Sequence, residues 1–369
     1  MVKARAAILR EYEAPLSIEE VDVDPPKTDE VLVKIAAAGI CHSDYHIMKG
    51  EWRNGLPMIL GHEASGIVAE VGPGVTGLKP GDRCALSFRS WCGRCRYCIA
   101  GRPILCNGYD GGPRGSMLDG TYRVHKDGED IPVMGRMGGF AEYAVMPAQQ
   151  VVPIGDDVDM DVVCLIGCAV TTGVGAVLNT AKVESGSTVA VIGTGGVGLN
   201  VVQGAVVAGA SRIFAIDLLD NKLDYAGSFG ATDLVNGSKG DPVQQVLDLT
   251  GGLGVDYVFE AIGNVKATEQ AIQMSARGGT VTLVGMAPQK QAASFDPLLF
   301  VQKETRMLGC FYGSFRPKLD FLRYVDMVKK GQLRVGEMIS RRYTFDEINE
   351  AYDRLGRGEV ARSVISFPA

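Results

Sequence analysis

The run Gly39-Ile40-Cys41-His42-Ser43-Asp44-Tyr45-His46 brings together a thiol, two imidazoles, a hydroxyl and a carboxylate. Once ionised, Cys41 is a soft metal ligand. Ser43 and His46 have the chemistry of a proton path to solvent, and His42 that of a phosphate contact. Matching groups recur far along the chain. His62 stands in Gly61-His62-Glu63, at a loop edge before an apolar strand. Alone it reads as a structural histidine; with Cys41 upstream and Glu63 beside it, it reads as a ligand. Cys164 and Cys168 bracket the start of a helical, small-residue run to about residue 183. Either can complete a site with Cys41 and His62. The other reads as packing, as do Cys84 and Cys310, because unpaired cysteine is among the most buried residue types.

A second cluster is denser. Cys92, Cys95, Cys98 and Cys106 follow the spacing C-x2-C-x2-C-x7-C. Four thiolates close a tetrahedral shell and leave no open position, the arrangement of a structural zinc. Iron–sulfur proteins also cluster cysteines, but ferredoxin-like spacing puts proline after the last one, and here Asn107 follows. The lobe over about 90–110 is therefore expected to be fastened by zinc and to take no part in catalysis.

A third constellation lies in the second half. A strand at 188–192 runs into Gly193-Thr194-Gly195-Gly196-Val197-Gly198, then into a helix at 199–208, and the next strand ends at Asp217. A Gly-rich string alone says little; between a strand and a helix, with an acid at the end of the following strand, it is a dinucleotide fingerprint. Gly193 permits the tight turn, Gly195 lets the backbone approach a pyrophosphate, and Gly198 lets helix and strand pack closely. The helix N-terminus offers unpaired N–H groups and partial positive charge. Asp217 is suited to both ribose hydroxyls and repels a 2′-phosphate, and Leu218 and Leu219 supply no arginine. NAD is thus expected over NADP. Lys222 either braces the same ribose or is a solvated helix residue.

The elements that must hold these groups are readable in outline. A chain of 369 residues exceeds one ordinary domain. Up to about residue 90, short β-branched runs are punctuated by Pro25-Pro26, Gly72-Pro73-Gly74 and Lys79-Pro80-Gly81-Asp82, which suggests a small barrel or sandwich. Residues 107–137, with Asp110-Gly111-Gly112-Pro113, read as a surface lobe in which His125 is an exposed bystander. Strand returns over 139–153. From 187 to 285, strands alternate with helices, the pattern of a parallel, doubly wound sheet. A strand at 306–312 and a helix at 318–330 follow. The tail strand at 361–367 is of the first half's type and is expected to return there.

Composition narrows the function classes. A net charge of -6 argues against a general nucleic-acid binder. No apolar run is expected to reach the ~20 residues that cross a bilayer. Residues 1–5 lead straight into an alternating strand pattern, unlike a signal peptide. Nine cysteines with no export signal favour metal thiolates in a reducing compartment, so a cytoplasmic location is expected.

In this order, Gly39-Ile-Cys-His-Ser-Asp, Gly61-His-Glu, the four-cysteine lobe, Gly167-Cys168, the Gly193–Gly198 turn and Asp217 resemble the zinc-dependent medium-chain alcohol dehydrogenases, over essentially the whole chain. The resemblance implies an α/β protein: a GroES-like, β-rich catalytic domain (1–169 and 312–369) and a doubly wound Rossmann domain (170–311), with the active site in the cleft between them. It assigns the catalytic zinc to Cys41, His62 and Cys168, with a fourth position open for water or substrate, and so selects Cys168 over Cys164. Two zinc ions per chain and NAD are implied. Asp44 matches the carboxylate that braces the ligand histidine, and Glu63 an acid near the zinc. His42 and Arg362 match residues at the pyrophosphate; Thr172 and Val197 match residues behind the nicotinamide.

The implied reaction is NAD-linked oxidation of primary, including aromatic, alcohols to aldehydes, and the reverse. Zinc stabilises the alkoxide, hydride moves to nicotinamide, and the proton leaves through Ser43, the ribose hydroxyl and His46. Trp52, Phe88, Phe140, Val284 and Met286 are expected to line an apolar pocket. The longer lobe resembles that of the dimeric members more than that of the shorter tetrameric ones, so a homodimer is expected, with a homotetramer as the alternative. Asp119-Gly-Thr-Tyr-Arg123, with Thr171-Thr172-Gly173, is also similar to a subgroup that holds its nicotinamide tightly and uses an artificial nitroso acceptor. Two rivals remain. A thiol-adduct formaldehyde dehydrogenase would carry adjacent acids over 51–55, where only Glu51 stands. A non-catalytic NAD-binding sensor or scaffold would not need the intact Cys41, His62 and Cys168 set.

Overall fold

Val189, Ala190 and Val191 have no exposed surface and Ile192 almost none. A strand apolar at every position is stable only in a sheet covered on both faces. The computed structural model supplies that sheet; it describes residues 1–53, 55–109, 111–288, 290–358 and 362–368. Asn54, Asp110 and Ala361, which fall in segments discussed above, lie outside the described residues. Contacts group the chain into two units: 1–168 with 316–329 and 335–369, and 169–315 with 330–334.

In the second unit, six parallel strands pair in the order Asp233–Asn236, Arg212–Asp217, Thr188–Ile192, Val255–Glu260, Ser275–Leu283, Arg306–Gly309. Strand order reverses beside Thr188–Ile192. That switch point is where an open α/β sheet leaves room for a ligand at the carboxyl ends of its strands. The strand feeds the helix Gly196–Ala208, which Gly209 ends in the left-handed conformation (φ +80°). Val258, Val281, Ala271, Met274 and their neighbours pack one apolar core of this unit.

In the first unit, two sheets share one core. Five strands pair in the order Met58–Ile59, Val2–Leu9, Ser17–Val23, Val124–Lys126, Glu129–Asp130. The other sheet has seven strands, centred on Glu30–Gly39. This ten-residue strand pairs with Ala64–Val71, with Tyr143–Pro147 and with the C-terminal strand Arg362–Ser366, so the tail does return to the first half's sheet. Alternating inward residues such as Val31, Val33 and Ile35 are fully buried, each worth about 1.5–3 kcal/mol of transfer free energy.

Several expectations change here. One helical run, Met160–Ala181, is 22 residues long and apolar enough to cross a bilayer, so the expectation that no such run exists was wrong. Its most apolar window is 78% buried within the protein, as in a core helix. It begins at Asp159, whose carboxylate accepts from the Asp161 amide, and it contains two π-helical stretches, Ile166–Val170 and Ala176–Ala181. The expected strand at 306–312 is shorter, Arg306–Gly309, and Tyr312–Ser314 is a 3-10 turn. His125 is not an exposed bystander: it is half-buried, with Nδ1 2.8 Å from Asp130 and Nε2 3.1 Å from Asp24. Phe140 is wholly buried against Tyr352, 6.0 Å between rings, which makes it a core residue and not a pocket wall.

Candidate metal and dinucleotide sites

The short helix His42–Met48 sorts the first motif by helical phase. Asp44, Ile47 and Met48, at i, i+3 and i+4, are buried. His42, Ser43 and His46 keep exposed surface on the other side, with the His42 and His46 rings 6.3 Å apart. Cys41 is the N-cap, buried where the helix leaves the sheet. Inside, Asp44 joins two motifs. Its Oδ1 accepts from the Gly61 amide at 3.0 Å, and its Oδ2 lies 3.1 Å from His62 Nδ1. Gly61 has φ +89°, and a Cβ there would sit 2.7 Å from the Phe140 amide nitrogen. Only glycine fits this turn.

Cys41, His62 and Cys168 are all buried, and two sulfurs and an imidazole nitrogen lie within 4.8 Å of one another. Neither ring nitrogen of His62 has a geometrically sound hydrogen bond among the described residues. A buried donor set left so is expensive without a cation to satisfy it, and thiolate plus imidazole is the chemistry of zinc. The residues therefore fit the metal. Cys168 reaches the cluster from the first π-helical stretch; such bulges re-aim side chains at functional sites. Cys164, one turn earlier, is buried with its thiol 3.1 Å from the Asp161 carbonyl oxygen, and burial pushes that thiol well up. For Cys41, the hydrogen bond from Cys168 outweighs burial and, with the charge of His62, holds the thiol far below its usual range. Burial works against protonation of His62, yet the Asp44 carboxylate and Cys41 raise it to about 10. Phe88 packs edge-on against the His62 ring at 5.3 Å.

Glu63 and Arg362 are both buried and form an ion pair. The sequence reading sent one toward the metal and the other toward a pyrophosphate; the fold couples them. Gly39 makes room for the pair, since a Cβ there would lie 2.4 Å from Glu63 Oε2. His46 Nδ1 lies 2.5 Å from Glu51 Oε2, and the Trp52 ring is 4.8 Å away. Sequence reasoning gave Gly39 no role of its own and did not pair Glu51 with His46. Neither position carries a pattern that reveals a partner many residues off or a turn away.

The four-cysteine lobe also converges: Cys92, Cys95, Cys98 and Cys106 place their sulfurs within 4.8 Å of one another. Backbone amides aim at the sulfurs, Cys92 N to Cys106 at 3.2 Å, Cys95 N to Cys92 at 3.2 Å and Gly108 N to Cys106 at 3.3 Å. Such donors stabilise thiolate charge. The Cys98 amide and neighbouring groups draw Cys95 down to about 6, while burial pushes Cys98 up to about 12. Gly108 is obligatory: its Cβ would lie 2.6 Å from Cys92 Sγ.

At the Gly-rich turn, each glycine has a distinct cause. Gly193 has φ +89°. A Cβ on Gly198 would lie 1.8 Å from the Gly193 carbonyl oxygen, whereas one on Gly195 would meet nothing within 4 Å. The turn is thus tight on its inner side and open where a pyrophosphate would approach, and the residues fit a dinucleotide. Gly196 and Val197 open the helix, half-exposed. Asp217 is held by a residue the sequence reading passed over: its Oδ2 accepts from the Thr194 amide at 2.9 Å and hydroxyl at 3.0 Å, and its Oδ1 from the Leu218 amide at 2.8 Å. The same Thr194 hydroxyl reaches the Lys222 carbonyl at 3.3 Å, so Lys222 is tied through its backbone. Thr172 lies in the segment Thr171–Gly175, four residues beyond Cys168.

A GroES-type β-unit with a three-ligand metal cluster, in one chain with a doubly wound dinucleotide unit, defines a zinc-dependent oxidoreductase. Residues 27–156 match the family model of the alcohol dehydrogenase GroES-like domain, and 196–330 that of the zinc-binding dehydrogenase. The chain is 40% identical to an S-(hydroxymethyl)glutathione dehydrogenase of Photobacterium damsela subsp. piscicida, over 99% of this chain and 100% of that one. Its fold is similar to benzyl alcohol dehydrogenase from Acinetobacter calcoaceticus, with a TM-score of 0.95 at 30% identity and full coverage of both chains. A protein from Sinorhizobium meliloti 1021, described as a zinc-binding dehydrogenase and bound to NADP, superposes with a TM-score of 0.84 at 30% identity, over 99% of this chain and 100% of that one. The chain belongs to the zinc-dependent medium-chain alcohol dehydrogenase family, and it is an oxidoreductase of the zinc-containing alcohol dehydrogenase type.

Proposed function

We propose that this enzyme interconverts primary alcohols, aromatic ones included, and their aldehydes with NAD. The observation that carries the reading is the buried cluster of Cys41, His62 and Cys168, three donors that would hold a zinc ion. Zinc held there supplies the Lewis acidity that makes an alcohol acidic near neutral pH. NAD supplies the hydride acceptor. The chain's own residues do the rest. Asp44 fixes the orientation of His62. Ser43 and His46, on the solvent side of their helix, take and release the proton. Glu63 lends negative charge beside the cluster, tempered by Arg362. Gly193, Gly195, Gly196, Val197 and Gly198 shape the pyrophosphate cradle, with His42 as a further phosphate contact and Thr172 behind the nicotinamide. Asp217, held rigid by Thr194, accepts from the ribose hydroxyls with Lys222 alongside, and its charge disfavours NADP.

A substrate panel read by NADH absorbance tests this. Turnover of benzylic and short primary alcohols with NAD, and weak activity with NADP, is the expected outcome; no NADH from any alcohol in a zinc-loaded preparation would refute it. A second reading, oxidation of a formaldehyde–thiol adduct, is favoured by the name of the 40%-identical relative. It predicts formaldehyde oxidation only when a low-molecular-weight thiol is added.

A homodimer is part of the same proposal. Arg306–Gly309 is an edge strand of the six-stranded sheet, and Leu298 and Val301 on the preceding helix are 63% and 71% exposed. Open strand edges with apolar neighbours favour pairing between copies. Light scattering on a sizing column should give twice the chain mass of 39.3 kDa. We place the enzyme in the reducing cytoplasm, where the thiolate lobe keeps its zinc; recovery of native protein in the membrane or exported fraction would count against this.

A further inference from the structure

We infer that Glu51 is the positioning residue of the proton exit: its carboxylate holds His46 in the tautomer with the proton on Nδ1 and so leaves Nε2 as the atom that accepts the substrate's proton. The inference rests on the proposed role of His46 and goes beyond it by naming the partner, the tautomer and the direction of transfer.

The geometry is local and specific. His46 is in the last turn of His42–Met48, and the chain then doubles back, with the Glu51 and Trp52 amides both donating to the His46 carbonyl, at 3.0 and 3.3 Å. That turn delivers Glu51 Oε2 to 2.5 Å from His46 Nδ1. A carboxylate only accepts, so the ring nitrogen facing it must carry the proton. In the neutral ring the other nitrogen is then the base. The Trp52 ring, 4.8 Å away and tilted 33°, limits rotation of the imidazole. Among the described residues, the His42 ring lies 6.3 Å from the His46 ring, and the Lys49 ammonium lies over Tyr45. The proton balance closes without any further reagent. Nε2 gains the proton released by the alcohol, the Glu51 carboxylate balances the imidazolium charge while Nδ1 keeps its proton, and the Nε2 proton then passes to water, which restores the starting tautomer. Glu51 is 47% exposed and His46 29%, so water reaches both.

The test combines a spectrum with kinetics. In 15N-histidine-labelled, zinc-loaded protein, the signal lost in His46→Gln assigns the residue among the four histidines. The wild-type signal should show Nδ1 protonated and Nε2 bare, and Glu51→Gln should shift it toward a mixture. A wild-type ring protonated on Nε2 overturns the inference. Glu51→Gln should lower kcat for alcohol oxidation by about tenfold, less than the roughly 10²–10⁴-fold of a lost general base because the imidazole itself remains, with substrate KM unchanged, and Glu51→Asp should recover part of the loss. In a His46→Gln background, the Glu51 substitution should have no further effect. A full Glu51 effect without His46, or none with it, overturns the inference and leaves the proposed function standing. If His46→Gln itself leaves oxidation unchanged, the proton-exit role of His46 fails, and the inference falls with it.

Discussion

Glu63 and Arg362 lie about 300 residues apart in a chain of 369, yet their side chains form an ion pair that water does not reach. The C-terminal strand makes this possible: Val364 pairs with Gly39, and the Gly39 amide donates to the Glu63 carbonyl at 2.7 Å. Strand register thus places the guanidinium over the carboxylate, next to the metal cluster.

Breaking this pair should be worse than deleting it. Arg362→Met strands a buried carboxylate and should cost about 3–5 kcal/mol, whereas Arg362→Met with Glu63→Gln should recover much of the loss. Urea unfolding of the zinc-loaded variants measures the difference. Gly39→Ala should resemble the single variant, because its methyl group collides with the same carboxylate.

In the proposed site, Asp44 would act on the metal through His62, whose Nδ1 lies 3.1 Å from Asp44 Oδ2. Asp44→Asn keeps the bond from the Gly61 amide but weakens the hold on the imidazole. Zinc affinity should fall by about 10–100-fold, read by competition with a chromogenic chelator. Unchanged affinity would show that the carboxylate does not orient the ligand.

The two metal clusters should be separable. Elemental analysis should give two zinc ions per chain. Cys95→Ser and Gly108→Ala should each release one, lower thermal stability and leave the cluster of Cys41 intact. A chain that loses both ions together would contradict independent sites.

Asp119 should make stability depend on pH. Burial raises its carboxyl, but the Thr121 amide and hydroxyl and the Arg123 guanidinium prevail and hold it below its usual range. Because the folded value is depressed, its contribution is fully present above the unfolded value of about 4 and is lost as pH falls through the folded one. The melting-temperature gap between wild type and Asp119→Asn should be constant near neutrality and narrow below about pH 4. A gap that widens on acidification would reverse the assignment.

Cofactor choice should follow Asp217 and its brace. Asp217→Gly should raise the NADP-to-NAD ratio of kcat/KM by about tenfold or more, some 1.4 kcal/mol per tenfold. Thr194→Val, which removes the bond at 3.0 Å, should do so to a lesser degree. Gly198→Ala should abolish dinucleotide binding, because its Cβ cannot coexist with the Gly193 carbonyl.

Local spacing reveals the ligand types, the glycine turn and the alternation of strands and helices: four thiols fall within fifteen residues, and a strand, turn and helix follow in a row. Burial and contact at long range are not local, and they are set by the tertiary fold. Strand register joined Glu63 to Arg362, a π-helical stretch presented Cys168 and turned Cys164 away, and a chain reversal set Glu51 against His46. The same holds for errors: an apolar helix hidden in the protein, and a histidine caught between Asp24 and Asp130, look from sequence like no helix of that length and a bystander. Side-chain chemistry is written residue by residue, but which side chains share a dry space depends on how strands far apart in the chain come into register.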